Sequence, residues 1–312
     1  MRKVLVTGAA GFVGSHLVRQ LVRQGCEVVA CVRPTSDLWR LEDLKNQIRL
    51  VQAELGTFTL DSRSEIFKNI DIVYHLAAAS LNPPGEKSLP LVQTNVVGTL
   101  SLLNLATELS LKRFVYCGSC FEYPSGNNLS EDILPKPVSE YAASKTSAWL
   151  LVNAFHARYA LPVVTLRAFT VYGPFEAAYR LIPHVINNAL DEKEISLTAG
   201  MQTRDFVYID DMISALLKAG ELPQLEGETF NICTGTPTSV ESVAKKIVAQ
   251  IGSGSRLRLG SIPYRDAEIM QLSGNPSKAM KTLDWKPGTL EEGLAQSIGW
   301  FRENRGRYKI YA

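Results

Sequence analysis

Short runs of branched apolar residues recur through the first half of the chain, with helix-spaced apolar positions filling the gaps between them. "KVLVT" (3–7), "EVVACVR" (27–33), "IRLVQAE" (48–54), "DIVYHLA" (71–77), "RFVYCGS" (113–119) and "PVVTLRAF" (162–169) have the length and β-branched content of strands. Helix-spaced apolar residues run from Phe12 to Val22, and longer helical patterns cover 89–110 and 139–160. Near-continuous apolar strands separated by helices predict a parallel sheet buried on both faces, hence a doubly wound α/β fold.

After about residue 172 the pattern loosens into short strands, arginines and prolines. "DDMISALLKAGEL" (210–222) and "LEEGLAQSIGWFREN" (290–304) still read as amphipathic helices, and "TFNIC" (229–233) as a strand. The expected organisation is a dinucleotide-binding domain over 1–172, rejoined by 204–234, and a smaller interleaved α/β C-terminal substrate lobe over 173–203 and 235–312. Segments 89–110 and 139–160 carry more apolar surface than one sheet face requires.

Composition narrows the class only a little. The 312 residues are 46% apolar and 21% charged, with a net charge of +2, and the charges are scattered. No basic footprint for nucleic acid is present. No run reaches the roughly 20 apolar residues of a membrane span, and Met1 leads straight into "RKVLVTG" without a secretory apolar core, so a cytoplasmic protein is expected. The five cysteines (Cys26, Cys31, Cys117, Cys120 and Cys233) are an odd, core-placed set, as for free thiols in a reducing compartment. Cys117 and Cys120 have C-x-x-C spacing, but no second ligand pair accompanies them, so no metal site is expected.

The chemistry begins at "TGAAGFVG" (7–14), where Gly8, Gly11 and Gly14 lie between the first strand and the first helix. Glycines there allow a tight turn and let backbone N–H groups approach a pyrophosphate at the helix N-terminus, the Rossmann-type arrangement. The second strand ends in Val32 and Arg33 rather than in the Asp or Glu that binds an NAD ribose. A guanidinium pairs with the 2′-phosphate of NADP, so Arg33 favours NADP(H), with NAD(H) as the alternative. "YAASK" (141–145) puts Tyr141 and Lys145 on one helix face, and an ammonium near a phenol favours its phenolate for proton exchange with a substrate oxygen.

Taken with Ser119, these motifs resemble the extended short-chain dehydrogenases/reductases, and within them the NAD(P)-dependent epimerase/dehydratase branch that acts on nucleotide sugars. The likeness spans the chain through "HLAAAS" (75–80), "NVVGT" (95–99), "LRAFTVYGP" (166–174), "RDFVYIDD" (204–211), "FNICTG" (230–235) and "LDWKP" (283–287). The resemblance implies that Gly8, Gly11 and Gly14, with Phe12 and Val13 between them, bind the pyrophosphate. Glu54 and Leu55 would flank the adenine, and Ala77 and Ala78 would line the cofactor cleft. Lys145 would hold the nicotinamide ribose and lower the pKa of Tyr141, the proton-exchanging residue, with Ser119 on the substrate oxygen. Arg204 would bind the diphosphate, Arg265 would be a second such arginine, and Cys120, Thr170 and Arg180 would face the substrate. The resemblance also implies that the 89–110 and 139–160 helices pair with their copies in a homodimer.

The family's 4,6-dehydratases carry an Asp–Glu acid–base pair where this chain has Cys120 and Phe121. Elimination needs both groups, and a phenyl ring exchanges no proton. Glu122 lies one place further on, and strand alternation turns it from the Phe121 side. Family members that combine epimerisation with reduction carry Cys at the Phe121 position and a His in the following lobe, near whose position this chain offers Arg180. Two reactions need only Ser119, Tyr141, Lys145 and a nicotinamide ring. The favoured one is NADPH-dependent reduction of a nucleotide-linked 4-keto-6-deoxy sugar. The alternative is C4-epimerisation with bound NAD. A reductase of non-sugar ketones would not need Arg204 and Arg265, and a non-enzymatic NADP(H) sensor would not need the Ser–Tyr–Lys set.

Overall fold

The computed structural model describes residues 1–56, 64–79 and 88–306. Ser80 and the last six residues of the expected substrate lobe lie outside them. Strands β1 (Lys3–Thr7), β2 (Glu27–Val32), β3 (Arg49–Gln52), β4 (Ile72–His75) and β5 (Arg113–Ser119) join Val163–Ala168 and Thr229–Ile232 in one sheet. Its order is Thr229–Ile232, Val163–Ala168, β5, β4, β1, β2, β3. Every pairing is parallel. All five positions of β1 are buried. Each fully buried Val or Leu contributes about 1.5–3 kcal/mol over its exposed state, which is why the centre of this strand, Val4 to Val6, is an unbroken apolar run.

Alternation along β1 divides the core into two layers. Val4 and Val6 pack with Leu17, Val18 and Leu21 of helix α1 (Phe12–Arg23) and with Met212 and Leu216 of the helix Ile209–Glu221. Leu5 faces the opposite layer, with Leu102 and Leu103, and with Ala148 and Val152 of the helix Glu140–Tyr159. The strand order reverses between β1 and β4, and the crevice outside their carboxyl ends is where such sheets bind ligands.

The helix Leu89–Thr107 is 19 residues long with a mean hydropathy of 1.2, enough by length and composition to cross a membrane. Here Leu102, Leu103, Leu105 and Ala106 are buried in the core under the sheet. Leu89, Val92 and Val97 of this helix and Leu150 of its neighbour stay exposed.

A second sheet has the order Pro237–Ser239, Thr203–Tyr208, Gln271–Gly274, Gly126–Leu129, and Thr170–Tyr172 pairs with Thr203–Tyr208. Gly126–Leu129 and Thr170–Tyr172 therefore leave the large sheet although they fall within 1–172. Of segment 204–234, the strand Thr229–Ile232 returns to the large sheet and the 209–221 helix covers it, whereas Thr203–Tyr208 stays in the second sheet. The smaller unit is thus assembled from both halves of the chain, and the short strands Gly126–Leu129 and Thr170–Tyr172 carry too little apolar pattern to announce it.

Candidate active site

Gly8 closes β1 with φ +68°, and a Cβ there would stand 2.8 Å from the backbone nitrogen of Ala77. A Cβ on Gly14 would fall 2.1 Å from the carbonyl oxygen of Gly8. Both positions therefore require glycine, and together they bring the loops after β1 and β4 against the start of α1. Gly11 is the N-cap of α1, with no side-chain cap and no acidic residue in the first turn. The N–H groups of Phe12 and Val13 are left to meet an anion at the positive end of the helix. A pyrophosphate fits this cradle in shape and charge.

Val32 is buried at the end of β2, and Arg33 is exposed just beyond it, its N–H donating to Ser36 Oγ at 3.1 Å. The nearest acid along the chain, Asp37, accepts the N–H of Trp39 at 2.9 Å. Glu54 is half-buried after β3, while Leu55 is buried in the core. A Cβ on Gly98 would touch Leu55 at 3.0 Å, and one on Gly56 would meet Gln93 O at 2.4 Å. The 54–56 loop is thereby seated on the 89–107 helix.

After β4, the Ala77 N–H donates to Thr7 Oγ1 at 3.2 Å, and Ala78 is exposed. The Ala79 N–H donates to Asn95 Oδ1 at 2.7 Å, and Asn95 Nδ2 donates to Ser144 Oγ at 2.8 Å. Ser144 in turn donates to Tyr141 O at 2.8 Å. Asn95 sits in a π-helical turn, Gln93–Val97, a local widening of the helix that recurs at functional sites. A second chain runs through His75. Thr99 Oγ1 donates to Asn95 O at 2.6 Å, so it accepts from His75 Nε2 at 2.9 Å, and His75 Nδ1 accepts from Thr7 at 2.7 Å. The cofactor-side loops and the 140–159 helix are thus one hydrogen-bonded unit.

Ser139 caps the 140–159 helix, its Oγ accepting the Ala142 N–H at 3.2 Å. On this helix Tyr141 and Lys145 face the end of β5, where Tyr141 shares a hydrogen bond with the Ser119 side chain. Lys145 is buried, donates to Cys117 O at 2.7 Å, and lies 4.4 Å from the centroid of the Tyr116 ring. Burial pushes the Tyr141 phenol up to about 12, against the Ser119 hydrogen bond that lowers it. Burial also lowers the Lys145 ammonium. Desolvation is the largest cause of both shifts.

Cys120, Phe121 and Glu122 form a single 3-10 turn. Cys120 is buried among core side chains, and burial raises its thiol to about 12. The Phe121 ring packs edge-on to Tyr141, with centroids 6.3 Å apart. Glu122 folds back beneath the strand end and accepts the Ser119 N–H at 2.7 Å. It does face away from Phe121, but because of this turn rather than strand alternation.

Thr170, Arg204 and Arg265, expected to face the substrate, lie on the second sheet and its loops. Thr170 pairs in register with Phe206, and Arg204 lies on the same strand as Phe206. Asp205 is fully buried and accepts from Thr234, Gly235 and Gly274, which fixes the strand beside Arg204. Arg204 donates to Ile269 O at 2.6 Å and pairs with Glu268. Arg265 is exposed, and its carbonyl accepts the Glu268 N–H at 3.2 Å, so Arg265 begins the turn whose Glu268 holds Arg204. Arg180 is exposed at the start of the helix Leu181–Leu190 and pairs with buried Glu176 at 3.6 Å. All five cysteines are free thiols, and among the described residues no group of three or more His, Cys, Asp or Glu side chains is placed to hold a metal.

A doubly wound sheet with a glycine cradle at its switch point, and a Ser–Tyr–Lys set beside it, defines a pyridine-nucleotide oxidoreductase. Residues 4–233 match the sequence model of the NAD dependent epimerase/dehydratase family, and the chain belongs to that family. It is 31% identical to UDP-glucuronate 4-epimerase of Thermodesulfobacterium geofontis, over 96% of each chain. Its fold is similar to the crystal structure of UDP-glucuronic acid 4-epimerase from Bacillus cereus in complex with UDP-glucuronic acid and NAD. That match has a TM-score of 0.86 and 30% identity, and covers 96% of this chain and 99% of the other. It is also similar to a dTDP-glucose 4,6-dehydratase of Streptomyces venezuelae solved with NAD, with a TM-score of 0.89, 28% identity and coverage of 99% and 100%. The extended short-chain dehydrogenase/reductase class expected from the motifs is therefore shown.

Proposed function

We propose that this enzyme carries out reversible oxidoreduction at C4 of a nucleotide-linked sugar, without elimination of water, and that its main reaction is C4-epimerisation. One observation carries the exclusion of elimination. The Phe121 ring, which exchanges no proton, stands edge-on to Tyr141, and the nearby carboxylate, Glu122, is committed to Ser119 N–H and Arg167. Protons are therefore exchanged at one oxygen, through Tyr141, and among the described residues beside it no acid–base pair is available for C5 and C6.

An oxidised nicotinamide ring, when bound, supplies the hydride acceptor and a positive charge beside the phenol. The chain's own residues do the rest. Ser119 and Tyr141 hold the C4 oxygen, and Tyr141 takes the hydroxyl proton as the carbonyl forms and returns it when hydride comes back. Lys145 positions the ribose and keeps a cation near the phenol. Arg204 and Arg265 bind the diphosphate, with Glu268 released from Arg204. The sugar's pivot between two faces of the ring inverts C4. The similarity to 4-epimerases over nearly the full length supports this order of preference, which places epimerisation ahead of the ketoreductase favoured by sequence.

Val32 and Arg33 support a second reading, NADPH-dependent reduction of a 4-keto-6-deoxy sugar nucleotide, because no carboxylate repels a 2′-phosphate there. Acid release and identification of the dinucleotide from purified protein tests the two. Stoichiometric NAD supports the epimerase; an empty protein that prefers NADPH supports the reductase. We further propose a homodimer formed through the exposed faces of the 89–107 and 140–159 helices.

A further inference from the structure

Glu122 and Arg167 pair at 2.9 Å with side chains 0% and 1% exposed. Such a pair is costly to desolvate, and well-packed apolar residues often serve stability as well, so its presence directly behind Ser119 calls for another role. The two Glu122 oxygens are both used: Oε1 accepts the Ser119 N–H at 2.7 Å and Oε2 accepts Arg167 Nε at 2.9 Å. Arg167 is held in turn, donating to Tyr123 OH at 2.8 Å with its guanidinium 4.6 Å from the centroids of both the Tyr123 and Trp149 rings. Tyr123 donates to Asn231 at 2.8 Å. Gly118 leaves the space: a Cβ there would stand 2.8 Å from Glu122 Oε1.

We propose that Glu122, anchored by Arg167, is a positioning residue that fixes the Ser119 backbone and so holds the Ser119 hydroxyl on Tyr141. The proposal rests on the C4 oxidoreduction reading above. β5 ends at Ser119, and the three-residue turn that follows is held by Phe121 N–H on Ser119 Oγ at 3.3 Å, a long bond that leaves the strand end to be made rigid from the Glu122 side. The short, charge-assisted bond to Ser119 N–H supplies that rigidity. Glutamine cannot substitute, because its NH₂ would face one of the two donors. A 1 Å displacement of a reacting group costs about 100-fold in rate.

The test is a double-mutant cycle on the nucleotide sugar that the wild type turns over, drawn from UDP-glucose, UDP-glucuronic acid and their C4 epimers. Glu122→Gln is expected to lower kcat about 100-fold, with KM and dinucleotide affinity changed by less than about 3-fold. In a Ser119→Ala background the same substitution is expected to cost less than about 3-fold, since the hydroxyl it positions is gone. Equal losses in both backgrounds, or a loss matched by weaker dinucleotide binding, would overturn the proposal. If Glu122→Gln does not fold, Glu122→Asp keeps the charge opposite Arg167 but falls short of Ser119, and wild-type kcat in that variant would overturn it equally. A wild type inert on all these sugars would defeat the functional reading instead. The proposal is then decided on ¹⁵N-serine-labelled protein: the Ser119 amide proton is expected downfield in the wild type and moved upfield in Glu122→Asp, and an unmoved resonance overturns it.

Discussion

Lys145 donates its ammonium to the carbonyl oxygen of Cys117 at 2.7 Å, two residues before Ser119 on the same strand. The 140–159 helix is thereby tied to the end of β5 by the residue that also stands one helical turn from Tyr141. Loss of the ammonium should disturb both the cofactor side and the proton side of the site. Lys145→Met is expected to lower kcat/KM about 100-fold or more and to weaken dinucleotide binding, measured by steady-state kinetics and fluorescence titration.

Tyr141→Phe separates those two effects. It removes the proton donor and the hydrogen bond to Ser119 while the ring still packs on Phe121. Turnover is expected to fall by about 1,000-fold or more, with dinucleotide affinity unchanged. Wild-type turnover would remove Tyr141 from the chemistry.

Arg33 is exposed at the end of β2, where a 2′-phosphate would lie. A charge-assisted bond contributes about 1.5–3 kcal/mol, or about 10–100-fold in Kd. Arg33→Ala should weaken NADPH by that factor and leave NADH unchanged, read by titration of both. Equal affinities for NADPH before and after the change would show Arg33 to be a surface residue only.

Acid should destabilise the fold through two histidines. Burial lowers His16 to about 4 and His75 to about 3, both below an unfolded value of about 6.5. Between those values the unfolded chain binds the protons, so their contribution is present above pH 6.5 and is lost as pH falls toward 4 and then 3. The thermal midpoint should drop across that window. His16→Gln, which keeps a donor for Pro174 O, should make the drop shallower. An unchanged slope would rule His16 out as a source of the acid sensitivity.

Leu89 and Leu150 are 61% and 55% exposed on adjoining helices. Leu150→Glu is expected to convert a dimer to a monomer in sedimentation velocity at micromolar protein. A monomeric wild type would refute the proposed assembly.

Much of this was legible in the sequence where a long apolar run or a compulsory glycine fixed the answer. The strands of the large sheet announce themselves because both of its faces are buried, and Gly8 and Gly14 because a side chain there would strike Ala77 or Gly8 itself. Helical spacing puts Tyr141 and Lys145 on one face, and their roles are read from the family resemblance. What escaped were contacts between distant segments. Glu122 could be weighed only as a catalytic acid, because its partner Arg167 lies 45 residues on. Asn95, buried between Ala79 and Ser144, was one letter of a family motif until the π-turn aimed it. The rise of Tyr141 was invisible for the same reason: desolvation comes from packing, which no spacing records.

The central claim is oxidoreduction at C4 without loss of water, and product analysis in D₂O tests it most directly. The enzyme would be incubated with dinucleotide and UDP-glucose, UDP-glucuronic acid or a 4-keto-6-deoxy sugar nucleotide, and the products followed by proton NMR. The account predicts a sugar inverted or reduced at C4, with its C5 proton undiluted by deuterium. A 4-keto-6-deoxy product formed from UDP-glucose, with solvent deuterium incorporated, would contradict it, as would the absence of any reaction across the panel.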